Sequence, residues 1–337
     1  MKYTLKKVLL VLLLTNAVCW CFGQQAATDQ YKFSLAPASP EASMLFKFSD
    51  IPVSQYTGTP DVVIPIQKLS PFPNFNFDIS LSYHGSGNKV NEIPSFVGLG
   101  WLLNAGGMIS RKTMGLPDDT DVGQGFLQLR QNHTYSELAV ASEATWPMLV
   151  TGCWDAEPDE FYFNLNGYSG KFAFDWSTAT NIKISSKAPV RITFAQGNAN
   201  SNAITQWHLI TPDGYQYTFS ALEQSWNLST YTGLGTCKPI RPYTTSWYLT
   251  QIVNLNNGNE HIDLTYQGYA MDYDWIIIES ATFGSGDCGC SPVFGTFGNT
   301  ANRTLVSGLR LSQVKIYPNN ITVDFIANND RQDLSTT

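Results

Sequence analysis

Charge is scarce in this chain. Only 14% of its 337 residues are Asp, Glu, Lys or Arg, and 27 acids outnumber 20 bases, for a net charge of −7. Without an excess of positive charge there is little to neutralise phosphates, which argues against nucleic acid and anionic membrane as partners. Histidine is also sparse: His84, His133, His208 and His261 are scattered, none at the spacing of a zinc hydrolase. No Gly-x-Ser-x-Gly elbow is present, and Gly85-Ser86-Gly87 lacks the strand-to-helix setting such a nucleophile needs. Gly98-Leu99-Gly100-Trp101 starts like a dinucleotide loop, but Leu103 stands where the third glycine belongs. No cofactor and no metal is expected on these grounds.

What is abundant is aromatic and turn-forming. Aromatic residues make up 13%, with 26 glycines and 17 prolines, a composition of many short strands and tight turns rather than long helices. At the start, Lys2, Lys6 and Lys7 precede the apolar run Val8 to Leu14 and then Cys19-Trp20-Cys21-Phe22-Gly23. That is the form of a secretory signal over residues 1–23, too short for a membrane span, so membrane contact is expected only through export. Lipoprotein attachment at Cys19 is disfavoured by the branched Val18 before it. Removing the signal takes three lysines and no acid, so the mature charge is 17 − 27 = −10.

Four cysteines then remain, Cys153, Cys237, Cys288 and Cys290, in an oxidising compartment. Four thiols allow three pairings. Cys288 and Cys290 are too close for an easy mutual bridge, so they are expected to reach Cys153 and Cys237.

Residues 24–50 read as an extended leader, and residues 51–160 as a glycine- and tryptophan-rich β module, β-sandwich-like in form. Val62, Ile64 and Ile66 alternate as a strand that Pro65 demotes to an edge or a bulge. Residues 71–78 read as a loop. Ile79, Leu81 and Tyr83 alternate with Ser80, Ser82 and His84, the period of a strand with one buried face. Beyond them Gly98, Gly100, Gly106 and Gly107 surround Trp101, expected to be a buried plug around which strands turn tightly. From 118 to 160 the pattern is weak, with Ser136–Ala144 the one candidate for helix.

Residues 161–337 repeat a hairpin unit. Phe161, Phe163 and Leu165 lead to Asn166-Gly167 and back through Phe172 and Phe174; Trp207 and Leu209 to Asp213-Gly214 and back through Tyr215, Tyr217 and Phe219; Trp247 and Leu249 to Asn257-Gly258 and back through Ile262 and Leu264. A last unit turns at Asn319-Asn320, between Val314-x-Ile316 and Ile321-x-Val323. These are successive antiparallel β-hairpins, expected to stack so that each covers its neighbour's apolar face, with a free edge in the last.

The run Tyr83-His84-Gly85-Ser86-Gly87, then Val97 to Gly107, Gly115-Leu116-Pro117-Asp118, Glu157 to Phe161, Gly170-Lys171-Phe172, Trp247-Tyr248-Leu249 and Asp330 to Leu334 resembles the N-terminal region of secreted RHS/YD-repeat proteins of the Bacteroidota type. The resemblance spans about residues 50–335. It implies a scaffold preceding a long repeat shell, which can enclose an effector such as a polymorphic toxin. Here the sequence stops at Thr337 without that run of repeats, as a truncated member, a fragment or a stand-alone copy of the leader would.

Three sites compete with a purely structural role. Asp118-Asp119-Thr120-Asp121-Val122-Gly123 offers weak calcium candidates in Asp119 and Asp121, with a solvated loop as the simpler reading. Asp155, Glu157, Asp159 and Glu160 could supply the paired carboxyls of a glycoside hydrolase. Trp154, Trp226 and Trp275, near loops, could stack on sugars, whereas Trp207 and Trp247 fall at core positions. The expected function is non-catalytic scaffolding, joined to the remainder of an RHS/YD-repeat protein or a neighbouring surface protein. A carbohydrate-binding module and a glycosidase are the alternatives.

Overall fold

The computed structural model describes residues 58, 60–85, 93–120, 124–139, 145–176, 182–197, 203–229, 242–284 and 293–327. The expected signal and leader lie outside this set, as do Asp121, Cys237, Cys288 and Cys290. The fold is all-β and antiparallel, as the turn-rich composition requires.

A three-stranded sheet is formed by β1 (Asp61–Phe72), β2 (Phe75–His84) and β3 (Trp101–Asn104), in that order. Phe75, Phe77 and Ile79 alternate inward and are buried, while Asn76 and Asp78 face out. The residues read as a loop, 71–78, instead complete a hairpin that turns at Pro73-Asn74, with Asn74 at a φ of 63°. Asn tolerates this left-handed conformation because its short amide side chain can bond locally. Pro65 sits at a register shift in the edge strand β1, where a missing N–H costs least.

The remaining strands are β4 (Met108–Lys112), β5 (Glu160–Leu165), β6 (Tyr168–Phe174), β7 (Ile182–Ser186), β8 (Arg191–Gln196), β9 (Ile204–Ile210), β10 (Tyr215–Ser229), β11 (Tyr243–Asn254), β12 (His261–Gly284), β13 (Val293–Tyr317) and β14 (Ile321–Asp324). They form one eleven-stranded sheet ordered β7-β6-β5-β4-β11-β12-β13-β10-β9-β8, with β14 on β13 and β10 also paired to β11. The pairings among β10, β11, β12 and β13 thereby close into a ring. Three hairpins of this sheet turn on positive φ: Asn166 and Gly167, at 43° and 83°, between β5 and β6, Gly214, at 86°, between β9 and β10, and Asn320, at 52°, between β13 and β14.

The hairpins lie edge to edge in one sheet, and the first still covers the apolar face of the second, Phe161, Phe172 and Phe174 packing on Trp207. What covers their apolar faces is the sheet folding back on itself. Strands β7 and β8 stand at opposite ends of the path yet only residues 187–190 join them. Correspondingly, Phe174 on β6 meets Phe194 on β8 with ring centroids 5.1 Å apart, and Phe172 meets Trp207 on β9 at 5.0 Å. Within residues 51–160, the three-stranded sheet lays Phe72 and Phe75 on Tyr215 of β10, with ring centroids 6.4 and 4.4 Å apart. Strand β4, from the glycine-rich stretch, is inserted between β5 and β11. The last hairpin keeps a free edge in β14, which pairs only with β13 among the described residues, while β13 is paired on both sides at Gln313 to Ile316.

Three short helices, α1 (Phe126–Asn132), α2 (Tyr135–Ala139) and α3 (Trp146–Val150), occupy the weakly patterned region. Only α2 overlaps the expected stretch Ser136–Ala144, of which residues 140–144 lie outside the described set. Helix α1 buries Phe126, Leu127 and Leu129, an arrangement too short to give a periodic signal.

Candidate functional site

The densest polar arrangement among the described residues grows out of β4. In this strand Ile109 and Arg111 point inward while Met108 and Lys112 point out, so alternation alone carries a guanidinium into the core. The Arg111 side chain is fully buried. Its Nη2 lies 2.8 Å from Asp119 Oδ1, its Nε 3.4 Å from Asp159 Oδ2, and its Nη1 donates to the Thr244 carbonyl at 3.0 Å. The flat cation also lies over Trp247 and Phe161, 4.9 and 5.3 Å from the ring centroids, which a desolvated guanidinium favours.

The acids around it bind backbone. Asp159 accepts from Met114 N–H at 2.8 Å and Asp118 N–H at 3.0 Å, and Asp159 N–H donates in return to Asp118 Oδ1 at 3.0 Å. Asp155 accepts from Leu116 N–H at 2.7 Å and Glu157 N–H at 3.0 Å, and Asp119 from Ile204 N–H at 2.7 Å. The cluster thus ties the irregular segment after β4 to the start of β5 and to β9. Buried backbone donors must find acceptors, and a segment with no ladder finds them in carboxylates.

One cation faces three carboxylates here. Burial pushes the Asp118 and Asp159 carboxyls above their ordinary range against the pull of Arg111, and Asp118 Oδ2 has no hydrogen-bond partner among the described residues. Burial likewise raises Asp155 to about 6, opposed by its two backbone donors. A carboxyl whose folded pKa is raised contributes stability that is full below its unfolded pKa and is lost as pH rises through the folded value. His208, pushed down by burial, acts in the opposite sense but is a single, partly exposed ring. The melting temperature is therefore expected to fall between about pH 5 and about pH 7.5. A scan of melting temperature across that range, rising or flat, would contradict this.

Glu160, next in sequence, is different. Its carboxylate bonds Lys171 Nζ at 2.8 Å and Tyr162 Oη at 2.6 Å, with Lys112 Nζ at 3.4 Å, on the outer face of β4, β5 and β6. These donors hold its pKa down at about 2.

The fold disperses the residues that could have formed a site. Asp119 is not in a solvated loop: it is buried and its charge is taken by Arg111, and Asp118 and Thr120 beside it are buried too. No group of three or more His, Cys, Asp or Glu side chains placed to hold a metal occurs among the described residues. Of the four glycosidase candidates, Asp155 and Asp159 enter the buried cluster, Glu157 is exposed, and Glu160 is ion-paired.

Trp101 is half-buried rather than a core plug; it pairs across β2–β3 with Tyr83, ring centroids 5.2 Å apart. The glycines near it do turn the chain tightly. Gly98, Gly100 and Gly106 have φ of 124°, 74° and 113°, and a Cβ on Gly107 would stand 3.0 Å from that of Leu165. Trp154 is partly buried against His133, with ring centroids 4.7 Å apart. Trp226 is not in a loop but within β10, opposite Leu305 of β13. Trp275 lies within β12. Cys153 is buried and its sulfur is disulfide-bonded, its partner lying outside the described residues.

Arg111 does not stand out in the sequence, because a single basic residue in a short strand looks like a surface residue. The inward register set by Ile109 is the signal that places it. No family model, curated protein or solved structure matches this chain.

Proposed function

We propose that this protein is a non-catalytic structural module of a secreted or surface-exposed RHS/YD-repeat-type protein, its sheet serving as scaffold for further repeats or an effector. The observation that carries the reading is how the acids are used. The only dense carboxylate cluster among the described residues turns its oxygens, Asp118 Oδ2 apart, onto the chain's own N–H groups and one arginine. Asp118 and Asp159 have no exposed surface, whereas a glycosidic acid must reach the leaving oxygen of a sugar. Glu160 does reach solvent, but its depressed pKa is the reverse of what a proton donor at neutral pH needs. The ordered sequence resemblance and the hairpin-built sheet support the scaffold assignment.

The test is hydrolysis of a polysaccharide panel by the mature chain and by Glu160→Gln, alongside protease treatment of intact cells. The scaffold reading expects no turnover by either protein, and cleavage of the chain at the cell surface. Turnover that Glu160→Gln abolishes without changing the melting temperature would overturn it, as would full protection inside intact cells.

A further inference from the structure

The turn built on α3 has an unusual surface. Trp146 is 59% exposed, Met148 44% and Val150 66%, Pro147 is exposed between them, and none of the helix's residues is buried. From Ala144 to Trp154 the sequence has no acidic or basic side chain. Consecutive apolar residues exposed around one helical turn make a convex tip, not a groove that could receive a peptide.

The backbone of this tip is largely closed on itself. Met148 N–H donates to Thr145 O at 3.1 Å, Thr151 N–H to Pro147 O at 2.9 Å, Gly152 N–H to Leu149 O at 3.1 Å, and Cys153 and Trp154 N–H both to Met148 O, at 2.9 and 3.0 Å. Pro147 has no N–H to satisfy, and the Thr151 hydroxyl donates to Pro147 O at 2.7 Å. Groups that already have partners lose little on leaving water, which is the requirement for entering a lipid interface.

We propose that this tip is a membrane-contacting element that inserts Trp146 and Val150, which share one face of the turn at i and i+4, into the surface of a zwitterionic bilayer. The reading is independent of the scaffold assignment. Three side chains and a proline cover far less than the roughly 800 Å² per partner of a stable protein interface, which disfavours a second copy as occupant. The absence of ionisable side chains leaves few groups to bond sugar hydroxyls, and the chain's net negative charge disfavours an anionic surface. A neutral headgroup layer accepts an exposed Trp with neighbouring aliphatic side chains at shallow depth. No helix among the described residues is long and apolar enough to cross a membrane, so the contact would be interfacial.

Flotation of the mature chain with phosphatidylcholine vesicles tests this. Binding is expected to persist at high salt, to gain nothing from added phosphatidylglycerol, and to fall by more than about tenfold in Val150→Asp and Trp146→Ser, since charge or lost apolar surface acts directly on insertion. Both side chains are exposed, so the melting temperature should be unchanged. Trp146→Phe should still bind but should lose the fluorescence quenching that acyl-brominated lipid produces in the parent protein. Failure of the parent to bind, binding that requires anionic lipid, or variants that bind as the parent does would each overturn the proposal. So would loss in these variants of glycan-array binding with no vesicle binding to lose.

Discussion

Replacing Trp207 by Ala is expected to lower the unfolding free energy by about 3–5 kcal/mol, because a large buried ring leaves a cavity that the sheet cannot close. Its ring is fully buried and meets five others: Phe161 and Phe172 at 5.0 Å, Phe194 at 5.6 Å, Trp247 at 5.8 Å and Phe174 at 6.0 Å between centroids. These partners come from β5, β6, β8 and β11, so the residue joins both halves of the folded-over sheet. Trp207→Phe should cost much less, since Trp207 Nε1 has no hydrogen-bond partner among the described residues and its loss removes a buried orphan donor. Trp247→Phe, by contrast, discards the 2.9 Å bond to the Ile204 carbonyl. Trp101→Ala, half-exposed with one ring contact, should cost only about 1 kcal/mol. Urea midpoints at constant m-value give the order directly. A Trp207→Ala loss below that of Trp101→Ala would mean that the sheet does not close over this ring.

Much of this core is legible in the sequence. Phe161, Phe163, Leu165, Phe172 and Phe174 repeat at period 2 around Asn166-Gly167, and that local signal fixes a hairpin and its inward face. Trp207 and Trp247 fall on the same period and are fully buried. Sheet order is another matter. Nothing near Ile109 tells that β4 pairs with β5 fifty residues on and with β11 more than a hundred on. Non-local pairing is decided by which closure buries the aromatic faces, not by turn chemistry. The misplacement of Trp101 has the same origin: glycine spacing shows where the chain bends, and only the packing of other strands decides what covers the bend.

The acid cluster marks the sharper limit of local reading. Asp118 and Asp119 in a glycine-ended run look like loop carboxylates, and only their partners, Arg111 on β4, the N–H of Asp159 and the N–H of Ile204 on β9, make them internal.

That dependence predicts what loss of the cation does. Arg111→Met is expected to cost about 3–5 kcal/mol at neutral pH, because breaking a buried ion pair leaves carboxylates without compensation, while methionine roughly keeps the packing volume. The pH dependence separates charge from packing. Arg111 favours the ionised form of Asp118 and Asp159, so its removal moves their folded pKa values further up. The native variant then binds more protons than the parent at intermediate pH, and its stability falls more steeply as pH rises. Urea unfolding of both proteins should accordingly show a gap that narrows from about pH 7.5 to about pH 5. An equal gap at both would assign the role of Arg111 to its contacts with Trp247 and Phe161, and would reduce the carboxylates to backbone acceptors indifferent to the guanidinium.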